Sequence, residues 1–148
     1  MAPASRSLRV RPLRAADYDD VIALLAASKM DPHTRGRESP AAFRRQLAAF
    51  PATYLGAFDG DRLVGCAFGT HDVRKAWINR LAVHPEYRRR GIATRLVREC
   101  ERRFLRQGME MFVAVIDAGN RTSRALFRSL GYDLWNITYA RKKRRPDV

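Results

Sequence analysis

The chain has little cysteine and little histidine: two cysteines, Cys66 and Cys100, and three histidines in 148 residues. There is no CxxC pair and no clustered histidine, so neither a disulfide framework nor a zinc site is suggested, and no metal is expected. Each cysteine sits inside an apolar pattern and reads as a small core residue in a reducing compartment. No apolar run approaches the ~20 residues that span a bilayer, and Met1 to Val10 lacks the apolar centre of a signal peptide. The expectation is a cytoplasmic protein with no membrane partner. Acidic residues are scarce too: 15 Asp and Glu against 29 Lys and Arg, a net charge of +14. Such an excess points to an anionic partner, with nucleic acid, an anionic membrane surface and a polyphosphate cofactor as the candidates. Two phosphate-binding signatures are also missing. There is no Lys-Ser or Lys-Thr after a glycine, as a triphosphate P-loop needs, and no GxGxxG of a dinucleotide fold.

What is present is enough for a core. The length suits one domain over residues 1–148, and 46% apolar with 30% charged residues excludes a disordered chain. Part of the charge lies in a basic tail at 141–148, where Arg141, Lys142, Lys143, Arg144 and Arg145 read most simply as a solvated end, with proximity to nucleic acid or the ribosome as the minority reading.

Periodicity and turn chemistry give the order of elements. Leu8 to Leu13 alternates apolar and basic residues around Pro12 and suits an edge strand. Asp17 is a cap for a helix carrying Val21, Leu24 and Leu25, and Ser39-Pro40 opens a second helix with Phe43, Leu47 and Phe50 on one face. The polar stretch Asp31 to Glu38 between them is a loop. Thr53 to Phe58 and Arg62 to Gly69 are strands joined by Asp59-Gly60-Asp61, a strong hairpin signal, and Ala76 to Val83 continues the meander. Ala93 to Arg106 is an amphipathic helix stopped at Gly108. Met111 to Ile116, continuously apolar, is predicted as a central strand buried on both faces. Asn120 to Leu130 is a helix ended by Gly131, and Tyr132 to Ala140 a last strand. The fold class is therefore α/β, a mixed sheet with helices on its faces, and the one strand, glycine-turn, helix unit at residues 78–97 is where ligand chemistry belongs.

That unit reads LAVHPEYRRRGIATRLV over residues 81–97. Backbone N–H groups of Arg90, Gly91, Ile92 and Ala93 face out at a helix start, where four donors lack intrahelical partners and the dipole favours an anion. Gly91 permits close approach, and Arg88, Arg89 and Arg90 add charge-assisted contacts to phosphate oxygens. The pattern Arg88, Gly91, Ala93, with the strand Trp77 to Val83 and His84-Pro85-Glu86-Tyr87 before it and Asn120 to Tyr132 after it, resembles the GNAT superfamily of acyl-CoA N-acyltransferases. The resemblance covers Leu8 to Ala140.

It implies a mostly antiparallel mixed sheet flanked by about four helices, with acetyl-CoA as cosubstrate in the V between splayed strands at 76–83 and 110–116. Leu81, Ala82 and Val83 would hold the pantetheine arm through backbone groups. Arg88, Arg89, Arg90, Gly91, Ile92, Ala93 and Thr94 would hold the pyrophosphate, with Asn120, Ser123 and Phe127 on the opposite side. The implied reaction is attack of a primary amine on the thioester in a ternary complex, the backbone N–H at Leu81 stabilising the oxyanion.

The family's usual acid and base are missing. The tyrosine position is Phe127, and the glutamate positions are Trp77 and Val115. Either the amine arrives neutral, or water relays its proton, or Asn79, Asp117, Ser123 or Tyr132 substitutes. His84, before Pro85, reads as a loop residue, and His71 with Asp72 as a hydrogen-bonded surface pair. Asn120 reads as a helix cap, a cofactor contact or both. The acceptor site is expected to be shaped by the loop at residues 31–38, the hairpin near 70–75 and the last strands, and the basic surface favours an acidic or phosphate-bearing amine acceptor over a polycation. The resemblance also allows a homodimer through strands near the C-terminus. Two alternatives stand beside the transferase: a basic nucleic-acid-binding module using Arg88 to Arg90 and the tail, and a CoA-binding member with little catalysis.

Overall fold

A computed structural model describes residues 8–148. Its sheet has five strands in the order β1 (Arg9–Pro12), β2 (Tyr54–Asp59), β3 (Arg62–His71), β4 (Ala76–Val83) and β5 (Phe112–Val113). The first three pairings are antiparallel and β4–β5 is parallel. Four helices flank it: α1 (Tyr18–Ala27), α2 (Pro40–Ala49), α3 (Ile92–Arg106) and α4 (Arg121–Ser129).

Local chemistry accounts for most boundaries. Ser39 caps α2, its hydroxyl accepting from Ala42 N–H at 3.1 Å, with Pro40 in the first turn where no N–H is needed. Gly60 takes a φ of 61° and closes the β2–β3 hairpin. Asp17 faces the other way from the expected cap. Its carboxylate reaches back to Arg14 N–H at 2.7 Å and takes both Arg11 guanidinium nitrogens at 2.9 and 3.1 Å, tying β1 to the start of α1. Burial pushes the Asp17 carboxyl up, but these hydrogen bonds outweigh it and hold it below its ordinary value.

The sheet separates two apolar layers. On the α3–α4 side Leu55, Val64, Ala67, Ile78, Leu96, Cys100, Phe104 and Phe127 pack together; on the α1–α2 side Val21, Leu25, Phe43, Tyr54, Cys66, Phe68 and Ala82 do. Ile78 and Ala82 lie four residues apart on β4 yet face opposite layers. In a regular strand they would share a face. The register explains the switch: Phe68 stands opposite Asn79 and Cys66 opposite Ala82, so Arg80 and Leu81 together oppose Ala67. This is a β-bulge, and Arg80 carries its strain at a φ of 49°. Both cysteines are free and buried, and burial pushes each thiol up to about 12.

Two predicted strands are corrected. The run Met111 to Ile116 is not central: only Phe112 and Val113 pair, at the sheet edge, with Met111 and Val115 exposed. Tyr132 to Ala140 forms no strand, and Trp135, Ile137 and Tyr139 are 80%, 76% and 68% exposed. The apolar alternation is real, but a strand needs a neighbour's backbone groups, and the two-residue β5 offers too short an edge. Among the described residues no helix is long and apolar enough to cross a membrane.

Candidate active site

β4 and β5 pair only at Ala76–Phe112 and Trp77–Val113, and from there they diverge. The opening between them continues into a cleft of about 1130 Å³. One wall is β4 from Ile78 to Val83, the other the run Ala114 to Asp117 and the first half of α4, and the floor at one end is the start of α3.

That end gathers positive charge at the start of a helix. After β4 the chain makes a short 3-10 turn, Pro85–Tyr87, in which His84 Nδ1 accepts from Glu86 N–H at 3.2 Å. His84, read from the sequence as a loop residue, thus caps this turn. Three exposed arginines follow, and then Gly91, whose φ of 75° sets the direction of α3. A Cβ at Gly91 would meet nothing within 4 Å, so the glycine is required by its backbone angle and leaves open space before the helix N-terminus. Arg88 and Arg89 line the cleft and have no acidic partner among the described residues. Arg90 does not line it. Its guanidinium lies over the Tyr87 ring, 4.7 Å from the centroid.

Leu81, Ala82, Val83, Ile92, Ala93, Thr94, Asn120, Ser123 and Phe127 all border this same cleft. Asn120 is the N-cap of α4, its Oδ1 accepting from Ser123 N–H at 3.0 Å, and its side chain borders the cleft as well. Of the displaced acid or base candidates, Asn79, Asp117 and Ser123 line the cleft and Tyr132 does not. Tyr132 donates its hydroxyl to Glu101 on α3 at 2.6 Å, and burial together with that bond pushes it up. His71 does not bond to Asp72: its Nδ1 accepts from Val73 N–H at 3.1 Å, while Asp72 accepts from Arg74 and Lys75 N–H.

The other end of the cleft holds Glu38, from the loop at residues 31–38 expected to shape the acceptor site, and Arg80, which the sequence did not single out. Glu38, at the end of the α1–α2 loop, has a side chain only 6% exposed and pairs with Arg80 across 42 residues, Arg80 Nε donating to Oε1 at 2.6 Å. Arg80 also donates to the Asp31 carbonyl at 3.0 Å, so the strained bulge residue fixes the loop to β4. Tyr54, Phe68 and Gln46 complete this end. The sequence marks Glu38 only as the end of the polar loop Asp31 to Glu38, with nothing local to show its pairing with Arg80. The C-terminal tail closes over the same region. Tyr139 and Arg141 border the cleft, and Arg145 donates to the Arg35 carbonyl at 3.2 Å.

The family model described as "Acetyltransferase (GNAT) family" matches residues 18–132. An acetyltransferase of Photorhabdus laumondii is 27% identical over 126 residues, 85% of this chain and 87% of its own length. A solved PaiA N-acetyltransferase of Thermoplasma acidophilum in complex with coenzyme A superposes with a TM-score of 0.80 at 19% identity, over 89% of this chain and 93% of that one. The Escherichia coli ribosomal-protein-S18-alanine N-acetyltransferase gives 0.73 at 17% identity, over 88% and 80%.

Proposed function

The chain belongs to the acetyltransferase (GNAT) family, and on that premise we propose that it moves an acetyl group from acetyl-CoA to a primary amine within a ternary complex. The observation that carries the reading is the divergence of β4 from β5 at Trp77–Val113, which opens a cleft ending at the unpaired Arg88, Arg89 and the N-terminus of α3. A pyrophosphate suits the free N–H groups and the two arginines. A pantetheine arm suits the strand gap, where backbone groups of Leu81 and Val83 can pair with its amides as a neighbouring strand would. Asn120 and Ser123 face it from the start of α4, and Phe127 gives it apolar contact.

In the reaction the amine nitrogen attacks the thioester carbonyl carbon and a C–N bond forms. The carbonyl oxygen takes up negative charge beside the Leu81 N–H, at the bulge. The C–S bond then breaks, and coenzyme A leaves as a thiolate that takes the proton released by the amine. Phe127 supplies no proton and the Tyr132 hydroxyl is engaged by Glu101, so the transfer runs through water or through Asp117, Asn79 or Ser123 at the cleft wall. Holding both substrates together supplies much of the rate. The protein acts in the cytoplasm on an acceptor compatible with its basic surface, an acidic or phosphate-bearing amine.

The test is thiol release from acetyl-CoA upon addition of primary amines, with mass spectrometry of the product. Acetyl-amine formed in equal amount to free coenzyme A is expected. Acetyl-CoA binding without product from any primary amine contradicts the transferase reading and favours a CoA-binding protein.

A further inference from the structure

We propose that Glu38 binds the acceptor amine, its Oε2 accepting a hydrogen bond from the amine nitrogen while Arg80 holds Oε1. The inference rests on the acetyl-transfer reading and adds the residue that receives the second substrate.

Glu38 is buried, and its Oε2 is the one buried side-chain oxygen or nitrogen among the described residues that lacks a hydrogen-bond partner. Its other oxygen is fully engaged by Arg80. Arg37 Nε lies 3.6 Å from Oε2, outside hydrogen-bond distance, on a half-exposed side chain. A buried carboxylate oxygen without a donor is unfavourable unless something outside the chain supplies one. Glu38 borders the open cleft, and Oε2 itself is covered, so a bound amine supplies the missing donor by displacing the half-exposed Arg37 side chain that stands 3.6 Å from it.

The position suits the acceptor rather than the cofactor. Arg80 directly precedes Leu81 on the bulge, and the ion pair therefore sets Glu38 next to the segment proposed to hold the thioester. The phosphate-binding end, with Arg88 and Arg89, has the opposite charge preference. Beside Glu38 lie the rings of Tyr54 and Phe68, stacked with centroids 4.6 Å apart, which favour an apolar arm carrying the amine. A carboxylate oxygen can accept from a protonated or a neutral amine, so the amine is held before and after it loses its proton.

The test uses the full chain loaded with coenzyme A and titrated with O-phosphotyramine, a primary amine on a short aromatic arm that carries a phosphate at its far end. Two readouts are followed: the carboxyl carbon resonance of Glu38 in carbon-13-labelled protein, and the amine affinity of wild type against Glu38→Gln. The Glu38 carboxyl resonance is expected to move saturably with O-phosphotyramine and not with N-acetyl-O-phosphotyramine. The variant is expected to bind the amine about tenfold more weakly while keeping its coenzyme A affinity. If Glu38→Gln does not fold, the wild-type resonance decides alone. Amine binding that leaves this resonance unmoved, equal amine affinity in the variant, or no amine binding to a coenzyme A-loaded protein each overturns the proposal and leaves the cofactor reading intact. Failure to bind coenzyme A overturns the reading on which it rests.

Discussion

Tyr132 stands edge-on to Phe127, ring centroids 4.9 Å apart at 77°, and turns its hydroxyl away from the cleft to Glu101. Tyr132 is thus used to fasten the end of α4 to α3. Tyr132→Phe should leave the turnover number within about twofold, since a proton-donating role is worth about a hundredfold or more. Removing the hydroxyl leaves Glu101 without that donor and should cost about 1–2 kcal/mol in urea denaturation. A large loss of turnover with an unchanged unfolding midpoint would restore Tyr132 to the chemistry.

The Arg80–Glu38 pair is mostly buried, the side chains 19% and 6% exposed. Arg80→Ala strands a carboxylate inside the protein and should destabilise the fold by about 3–5 kcal/mol. Chemical denaturation of the single variant and of the Arg80→Ala, Glu38→Ala double variant is the check. The double variant should be the more stable of the two, because it removes the orphaned charge.

Arg88 and Arg89 border the cleft without acidic partners among the described residues. Arg88→Ala and Arg89→Ala should each weaken acetyl-CoA binding by about tenfold, as expected for loss of a charge-assisted hydrogen bond, with no change in melting temperature. Arg90→Ala, at a side chain stacked on Tyr87 outside the cleft, should change binding by less than about threefold. Calorimetry on the three variants ranks them, and an equal loss in all three would point to a diffuse basic field instead of a formed site.

Acid sensitivity should be traceable to Asp17. Its carboxyl is held below its ordinary value of 3.8 by Arg11 and the Arg14 N–H, after the opposing effect of burial. A carboxyl depressed in the folded state stabilises above its unfolded value and loses that contribution as pH falls through its folded value. Below pH 4 the wild type should therefore lose stability more steeply than Asp17→Asn, whereas at neutral pH the variant should be the less stable. Thermal melts across the acid range measure both slopes, and parallel curves would refute the assignment.

The parts of the fold that depend on neighbouring residues could be read in advance. Ser39-Pro40 and Asp59-Gly60 specify a cap and a turn through their own backbone, and Gly91, at a φ of 75°, specifies the start of α3. What depends on distant partners could not. The Tyr132 to Ala140 pattern alternates as a strand should, yet pairing requires an edge that β5 does not extend far enough to give. Glu38 looks like a loop residue until Arg80, 42 residues later, reaches it from a bulge that no local pattern marks. The missing acid at Phe127 was legible as an identity, but the loss of Tyr132 to Glu101 was not.

The most direct test is an acetyl-CoA titration by calorimetry at physiological salt, with wild type beside Gly91→Ala and Gly91→Glu. Both substitutions strain a backbone held at a φ of 75°, but only glutamate sets a carboxylate in the open space before α3. Saturable one-site binding in the wild type, weakened somewhat in Gly91→Ala and abolished in a folded Gly91→Glu, is the predicted result. No binding in the folded wild type, or undiminished binding in Gly91→Glu, would contradict the assignment of this cleft to acetyl-CoA.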